Sequence, residues 1–202
     1  IKKFCSKVIA KSNIDIIESI KTKVDITKET PSGIMATTLI LAVIVRNKMY
    51  YTSIGDSRLF IYSEKDGLNL LNYEDNVMNL KLANGMAWDK VVNSEGRYAI
   101  TRYIGGGSFK DGNLYPREFT ISIHCLDLEP GQIIIICSDG VTDYINKSYY
   151  NDDLWKVTES LEKIIKENKE KSLDVLNNKI ITEANLNGGG DNITIITSKV
   201  LK

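Results

Sequence analysis

The chain has 202 residues, of which 43% are apolar, and this is enough for one sizeable core, so we expect a single domain over 1–202. Lysine plus arginine number 26 and aspartate plus glutamate also number 26, so the formal charge is zero and nucleic acid is a disfavoured partner. The longest apolar runs are far shorter than the roughly 20 residues that span a bilayer, which indicates a soluble protein without a membrane partner.

The three cysteines, Cys5, Cys125 and Cys137, are odd in number, widely spaced and set in apolar surroundings. This usage is typical of reduced thiols in a cytoplasmic protein, not of a disulfide framework. The first residue is Ile1 and no signal peptide precedes the lysine-dotted opening stretch, so we expect that the chain is truncated at its N-terminus.

The first third of the chain predicts helix followed by sheet. Apolar residues three and four positions apart predict one or two helices over residues 1–24, broken around Asn13. Four β-rich runs then predict an antiparallel meander. The runs are ATTLILAVIV from Ala36, MYYTSIG from Met49, SRLFIYS from Ser57 and LNLLN from Leu68.

The remainder predicts an excursion, two strands, two helices and a last strand. Residues 75–98 form a polar stretch with a short helix around Val77 to Leu82, which we interpret as a surface excursion from the sheet. The runs EFTISIHCLDL and QIIIICS predict strands joined by a turn at Pro130. Helices over Asp152 to Asn168 and Ser172 to Asn185 precede a strand from Ile193 to Thr197.

This order of elements favours an α+β fold, a four-layer α-β-β-α sandwich of two mainly antiparallel sheets with helices outside. Two aspartates stand where a strand meets a glycine-permitted turn, Asp139 in IIIICSDG and Asp191 in GGGDNITIIT. They could converge at one end of a sheet and bind a hard cation through oxygen. Taken singly, an aspartate in such a turn more often serves the turn itself.

Five segments occur in an order that resembles the PP2C-type, or PPM, metal-dependent serine/threonine protein phosphatases. They are GIMATTLILAVI (33–44), YYTSIGDSRLFIY (50–62), ITRYIGGG (100–107), IIIICSDGVTDYI (133–145) and GGGDNITIIT (188–197). Each segment alone is a weak signal, but the five in order over residues 33–197 are specific. The family's fold is the same α-β-β-α sandwich.

The resemblance implies hydrolysis of phosphoserine and phosphothreonine by a metal-activated water at a centre of two Mn²⁺ or Mg²⁺ ions, with a third ion at a weaker position. It makes Asp139 and Asp191 metal ligands and Asp56, in the GDSR turn, a ligand of the third position. No protein nucleophile is needed, so the metal ligands are the only catalytic residues expected. Residues 75–98 correspond to the family's flap, so the stretch from Asn76 to Tyr98 is where we look for substrate binding.

The resemblance also implies a phosphorylated protein as partner, in a serine/threonine kinase pathway, and we expect a monomer. For four further residues we favour a structural role over a role in metal or phosphate binding. Asp143 fits a helix cap better than a ligand, His124 lies on the polar side of its strand, and Arg58 and Arg102 suit structural ion pairs better than phosphate contacts.

The family's DGxGG segment, whose aspartate bridges both metals, is not in this sequence, and the family places it just before the helix at residues 1–11. We therefore expect residues 1–202 alone to be inactive and the intact parent to be the enzyme. The alternative is a catalytically inactive PP2C-like pseudophosphatase that acts as a regulatory or interaction domain.

Overall fold

The computed structural model describes residues 1–23, 35–111, 113–118, 120–146 and 154–201. These residues form two compact units. The first consists of Ile1–Gly55 and Asp75–Leu126, and the second of Asp56–Glu74 and Asp127–Lys202. Within the described residues, no helix is both long enough and apolar enough to cross a membrane.

The first unit begins with one continuous helix, α1 (Lys2–Lys23), so the predicted break around Asn13 is wrong. Asn13 is buried and its side chain is satisfied by hydrogen bonds outside the helix. Its amide donates to the Arg117 carbonyl at 3.2 Å and accepts from the Gly105 amide at 2.8 Å. A buried polar side chain with both groups paired costs little, so the helix continues through it.

The sheet of the first unit has the strand order β1 (Leu39–Val45), β2 (Lys48–Ile54), β7 (His124–Asp127). β1 and β2 form an antiparallel hairpin in which Leu39 lies opposite Ile54. The predicted strand over EFTISIHCLDL shortens to the four residues of β7. A hairpin that the sequence did not predict, β5 (Gly107–Lys110) with β6 (Asn113–Pro116), completes the strands described in this unit.

Two short helices precede β5 in chain order, α2 (Val77–Ala83) and α3 (Trp88–Val92). The predicted helix around Val77 to Leu82 is confirmed as α2, and Asn76 caps it by accepting a 2.8 Å hydrogen bond from the Asn79 amide. The five-residue helix α3 is too short to give a helical period in the sequence.

The second unit contains a four-stranded antiparallel sheet with the order β4 (Gly67–Leu70), β3 (Arg58–Ser63), β8 (Ile133–Cys137), β9 (Ile195–Lys199). The predicted meander of the first four strands is therefore wrong, since β1–β2 and β3–β4 belong to different sheets. β2 has β1 and β7 as its neighbours and β3 has β4 and β8, so neither has a free side for the other. In the central ladder, Arg58 lies opposite Cys137.

The core of the second unit lies between this sheet and two helices, α5 (Leu154–Asn168) and α6 (Leu173–Leu186). Each helix turns an apolar stripe inward, and full burial of one such side chain stabilises the fold by about 1.5–3 kcal/mol. The buried side chains of this core include Phe60, Tyr62, Ile133, Ile135, Val157, Leu161, Ile165, Leu176 and Ile180. A one-turn helix, α4 (Asp139–Thr142), follows β8 directly.

Candidate metal centre

Asp139 lies at the point where the central strand of the second unit becomes a helix. β8 is buried along most of its length, Ser138 takes an extended conformation at φ −71° and ψ 164°, and α4 begins at Asp139. The Asp139 carboxylate accepts a 2.9 Å hydrogen bond from the Gly140 amide. The change from strand to helix thus presents this carboxylate at the end of the sheet, as the sequence predicted.

Asp191 lies in the turn that precedes β9, and Ser138 ties this turn to the end of β8. The Ser138 amide donates to the Thr194 carbonyl at 3.0 Å. The Ser138 hydroxyl donates to the Asn192 carbonyl at 2.9 Å and accepts from the Thr194 amide at 3.1 Å. Three hydrogen bonds from one residue therefore bring the turns of Asp139 and Asp191 together, although 52 positions separate the two aspartates in the sequence.

Gly140 lets the two turns approach this closely. A Cβ atom at position 140 would lie 2.4 Å from the Asn192 carbonyl oxygen and 3.4 Å from the Asp191 Cβ. The first distance is far inside van der Waals contact and the obstacle is backbone, so any side chain at this position would push the turns apart.

Close contacts also explain why glycines precede Asp191. Tyr144 is buried, at 6% exposure, and a Cβ at Gly190 would lie 2.4 Å from its hydroxyl oxygen. Gly188, at φ +132°, adopts a backbone conformation that few other residues tolerate. Tyr144 follows α4 in the chain, so the segment that begins with Asp139 also shapes the turn that carries Asp191.

The carboxylates of the second unit act on one another electrostatically. Burial, and next the charge of Asp139, raise the pKa of Asp56 to about 6. Burial, and next the charge of Asp191, raise the pKa of Asp139 above its ordinary value. The charge of Asp191 thus affects the protonation of Asp139, and the charge of Asp139 affects that of Asp56. Like charges held together in this way attract a cation that would relieve the repulsion.

A buried ion pair stands beside these carboxylates. The Arg58 Nε donates to the Glu74 carboxylate at 2.5 Å, and the two side chains are only 15% and 10% exposed. Burial lowers the pKa of Arg58, but the charge of Glu74 and its hydrogen bond outweigh burial and raise that pKa. Arg58 in turn opposes the rise in the pKa of both Asp56 and Asp139.

Two further ionisable groups face the same cluster. Burial raises the pKa of Asp143 to about 6, against the opposing charge of Arg58. Burial also raises the pKa of the Cys137 thiol to about 12, so this thiol is protonated at neutral pH and is a poor nucleophile. Asp143 follows the C-terminal end of α4, where its amide donates to the Asp139 carbonyl at 2.8 Å. It is therefore a cap at the end of that helix.

The donor set suits a hard divalent cation in kind, because Mg²⁺ binds carboxylate oxygens and commonly uses only one or two protein carboxylates together with water. Among the residues that the structure describes, no group of three or more His, Cys, Asp or Glu side chains is gathered closely enough to hold an ion. Electrostatic influence extends well beyond bonding distance, which reconciles the coupled carboxylates with this finding. The assignment of Asp56, Asp139 and Asp191 as ligands stays a prediction.

Both arginines form ion pairs, as predicted, Arg58 with Glu74 and Arg102 with Asp75. Arg102 lies in the first unit, where its Nε donates to Asp75 at 2.9 Å and its two terminal nitrogens donate to the carbonyls of Thr120 and Ser53, each at 3.1 Å. His124 is exposed and its ring stacks on Tyr51 with centroids 5.3 Å apart, as expected for an ordinary sheet residue.

Glu74 and Tyr144 are the residues of this region that the sequence did not single out. Glu74 lies outside the five segments, and its pairing with Arg58 depends on a hairpin that returns 16 positions later. The three successive glycines at 188–190 were a usable signal, since they indicate a close neighbour, but they do not say that this neighbour is Tyr144.

Comparison with known proteins gives no matching family model. A Streptococcus pyogenes protein described as protein phosphatase 2C-type is 31% identical over 161 residues, which are 80% of this chain and 56% of that protein. This chain therefore spans little more than half the length of that relative.

Solved structures match over nearly the whole chain. The Streptococcus agalactiae serine/threonine phosphatase superposes on this chain with a TM-score of 0.70 at 23% identity. The match covers 96% of this chain and 68% of the chain of that phosphatase. The catalytic domain of the phosphatase PstP, in complex with two manganese ions, gives a TM-score of 0.66 at 18% identity. The match covers 94% of this chain and 67% of the PstP chain.

The solved structures show that the chain has the α+β, PP2C-like fold of the bacterial PPM phosphatases. The predicted fold class is therefore confirmed. The resemblance that the five segments predicted is confirmed in the same way, because the relatives found by sequence are PP2C-type and serine/threonine phosphatases.

Proposed function

We propose that this chain is part of a metal-dependent protein serine/threonine phosphatase that hydrolyses phosphoserine and phosphothreonine. The observation that carries the proposal is that Ser138 joins the turns of Asp139 and Asp191 by hydrogen bonds. Gly140, which has no side chain, allows these two turns to approach closely. The naming of the relatives as serine/threonine phosphatases supports the reaction class. The relative solved with two manganese ions supports dependence on a metal.

Asp139 and Asp191 would hold the ions and Asp56 would contribute to a third position. Bound Mn²⁺ or Mg²⁺ would activate a water for attack on phosphorus and stabilise the charge of the phosphoryl oxygens. Other residues of the chain would position and balance the charges of these ligands. Arg58 limits the repulsion among the carboxylates, and the Arg58–Glu74 pair fixes the start of β3, two positions after Asp56.

A protein nucleophile is not part of the proposal. Cys137 is buried and, with a pKa of about 12, remains a neutral thiol. Attack by an activated water fits this chain better than attack by a cysteine thiolate.

The remaining parts of the proposal concern the whole protein. We infer one PP2C-like domain over 1–202, with 75–98 as its flap, a phosphorylated protein as substrate in a kinase-controlled pathway, a monomeric state and a cytoplasmic location. The coverage of 94–96% of this chain by the solved relatives supports a single domain. The zero net charge agrees with a protein substrate and with no nucleic-acid partner.

A second candidate is a pseudophosphatase that keeps the fold without a working metal centre. The observation that favours it is that no three His, Cys, Asp or Glu side chains among the described residues form a group able to hold an ion. Such a domain would bind phosphoproteins or other proteins without hydrolysing them.

The test is phosphate release from a phosphothreonine peptide by the full-length protein with Mn²⁺, compared with its Asp139→Asn and Asp191→Asn variants. We expect each variant to lose more than about a hundredfold in activity, since even residues behind metal ligands are worth ten- to a hundredfold. Asp111→Asn, a change of the same kind at an exposed position of the first unit, is the matched control and should be fully active.

A thermal melt with and without Mn²⁺ gives an independent readout. At a hundred times its dissociation constant, a ligand of the native state stabilises it by about 2.7 kcal/mol, and both aspartate variants should lose this gain. Activity that survives both substitutions or a chelator would refute the phosphatase proposal. A folded protein with neither activity nor stabilisation by Mn²⁺ would favour the pseudophosphatase. The same assay on residues 1–202 alone tests the expectation that this segment is inactive.

A further inference from the structure

The stretch 75–98, which we propose as the flap, contains a cavity that none of the aspartates of the candidate metal centre lines. It lies where α2 meets α3 and has a volume of about 450 Å³. This is within the range of about 300–1,000 Å³ that ligand sites occupy. Its lining residues are Lys81, Asn84, Gly85, Met86, Ala87 and Lys90.

The turn that forms this cavity is the capped C-terminal end of α2. Gly85, at φ +82°, donates its amide to the Leu82 carbonyl at 2.9 Å. The Met86 amide donates to the Lys81 carbonyl at 3.0 Å, which completes the pair of hydrogen bonds of a Schellman cap. Such a cap fixes the direction in which the chain leaves α2 and so sets the backbone that lines the cavity.

The charge of the cavity is positive. Within the described part of the chain, neither the Lys81 nor the Lys90 ammonium group has an acidic or hydrogen-bonding partner. Asp89, the neighbour of Lys90, does not line the cavity. Two unpaired ammonium groups at one cavity favour a ligand that carries more than one negative charge.

The cavity also has apolar surface, which a small inorganic anion would leave uncovered. Met86 is 41% exposed, and the flanking Leu80 and Trp88 are 50% and 49% exposed. Met86 lines the cavity itself, and Leu80 and Trp88 lie within nine positions of one another in the sequence on either side of it. A ligand that matches both features must combine carboxylates with an apolar side chain.

We propose that this cavity is a binding site for an acidic peptide segment, in which carboxylates pair with Lys81 and Lys90 and an apolar side chain packs on Met86. The cavity residues all belong to the first unit and lie within the proposed flap. The inference concerns binding alone and does not require that the chain hydrolyses phosphate esters.

The test is fluorescence anisotropy of a labelled, unphosphorylated peptide in which glutamates flank a leucine, measured with the full-length protein without divalent metal. Because no hydrolysis is involved, a negative result leaves the proposed phosphatase function untouched. We expect saturable binding that weakens as salt is added. Lys81→Gln and Lys90→Gln should each weaken binding by about threefold and the double variant by about tenfold, as expected for exposed ion pairs.

Matched controls separate this site from general attraction. Lys7 and Lys110 are exposed lysines of the same unit, so Lys7→Gln/Lys110→Gln removes the same charge elsewhere and should change binding by less than about twofold. Lys81→Arg/Lys90→Arg should retain binding. Replacing the leucine of the peptide by asparagine should weaken binding by about fivefold, which reports the apolar contact.

Three results would overturn the proposal. They are equal losses in the two double glutamine variants, no preference for the leucine peptide, and full competition by inorganic phosphate at the concentrations at which the peptide binds, which would indicate a simple anion site. If the Lys81→Gln/Lys90→Gln variant does not fold, the leucine and asparagine peptides on the unaltered protein still decide the outcome.

Discussion

Two arginine–carboxylate pairs, one in each unit, use consecutive acids of the chain and differ in what surrounds them. In the second unit, Arg58 pairs with Glu74, and both side chains are nearly buried, at 15% and 10% exposure. In the first unit, Arg102 pairs with Asp75, at 32% and 16% exposure. Asp75 also accepts a 3.0 Å hydrogen bond from the Gly55 amide.

The difference lies in the neighbours of each arginine. Arg58 has the charges of Asp56, Asp139 and Asp143 around it and offsets part of their repulsion. Arg102 donates instead to two backbone carbonyls, that of Thr120 and that of Ser53 in β2, so it connects a loop to a strand. The same ionic contact therefore serves electrostatic balance in one unit and the joining of backbone segments in the other.

The largest effect should come from separating the buried pair. Arg58→Met leaves Glu74 charged, buried and without this partner, and we expect the free energy of unfolding to fall by about 3–5 kcal/mol. The double variant Arg58→Met/Glu74→Leu removes both charges and should recover at least half of that loss. Urea unfolding of the protein and both variants measures this, and a double variant less stable than the single one would contradict it.

A smaller effect is expected at the pair of the first unit. Arg102→Gln removes the donors to Asp75, Thr120 and Ser53, of which Asp75 keeps its bond from Gly55. The side chain is partly exposed, so water replaces some of the lost bonds, and we expect a loss of about 1–3 kcal/mol in the same urea experiment. The comparison fails if Arg102→Gln costs more than Arg58→Met.

The smallest effect should come from an ion pair that is fully open to solvent. Lys11 pairs with Asp15 one turn along α1, and the two side chains are 69% and 55% exposed. Lys11→Gln should lower the free energy of unfolding by no more than about 0.5 kcal/mol, and added salt should remove even this difference. A loss as large as that of Arg102→Gln would show that burial does not rank these three pairs.

Much of the fold could be predicted because its signals are local. The period of α5 and α6, the apolar run of β8 and the short helix α2 all lie within short stretches of sequence. The errors came where pairing between distant segments decides. The meander was wrong because the sides of β2 and β3 are taken by β7 and β8, which follow some 60 or more positions later.

The candidate site divides in the same way. Asp139 and Asp191 were predicted from turns that follow or precede a strand, and the structure ties those turns together. Glu74 could not be predicted, because its partnership with Arg58 depends on the return of the β3–β4 hairpin. The break expected at Asn13 failed for a related reason, since the partners of that side chain lie about a hundred positions away.

The burial of Cys137 has a consequence for oxidative chemistry. Peroxides and alkylating reagents attack the thiolate, and a thiol with a pKa of about 12 supplies almost none of it at neutral pH. Cys5 is also buried, whereas Cys125 is exposed. Mild oxidants should therefore reach the thiol on β7 and spare the one that ends β8, two positions before Asp139.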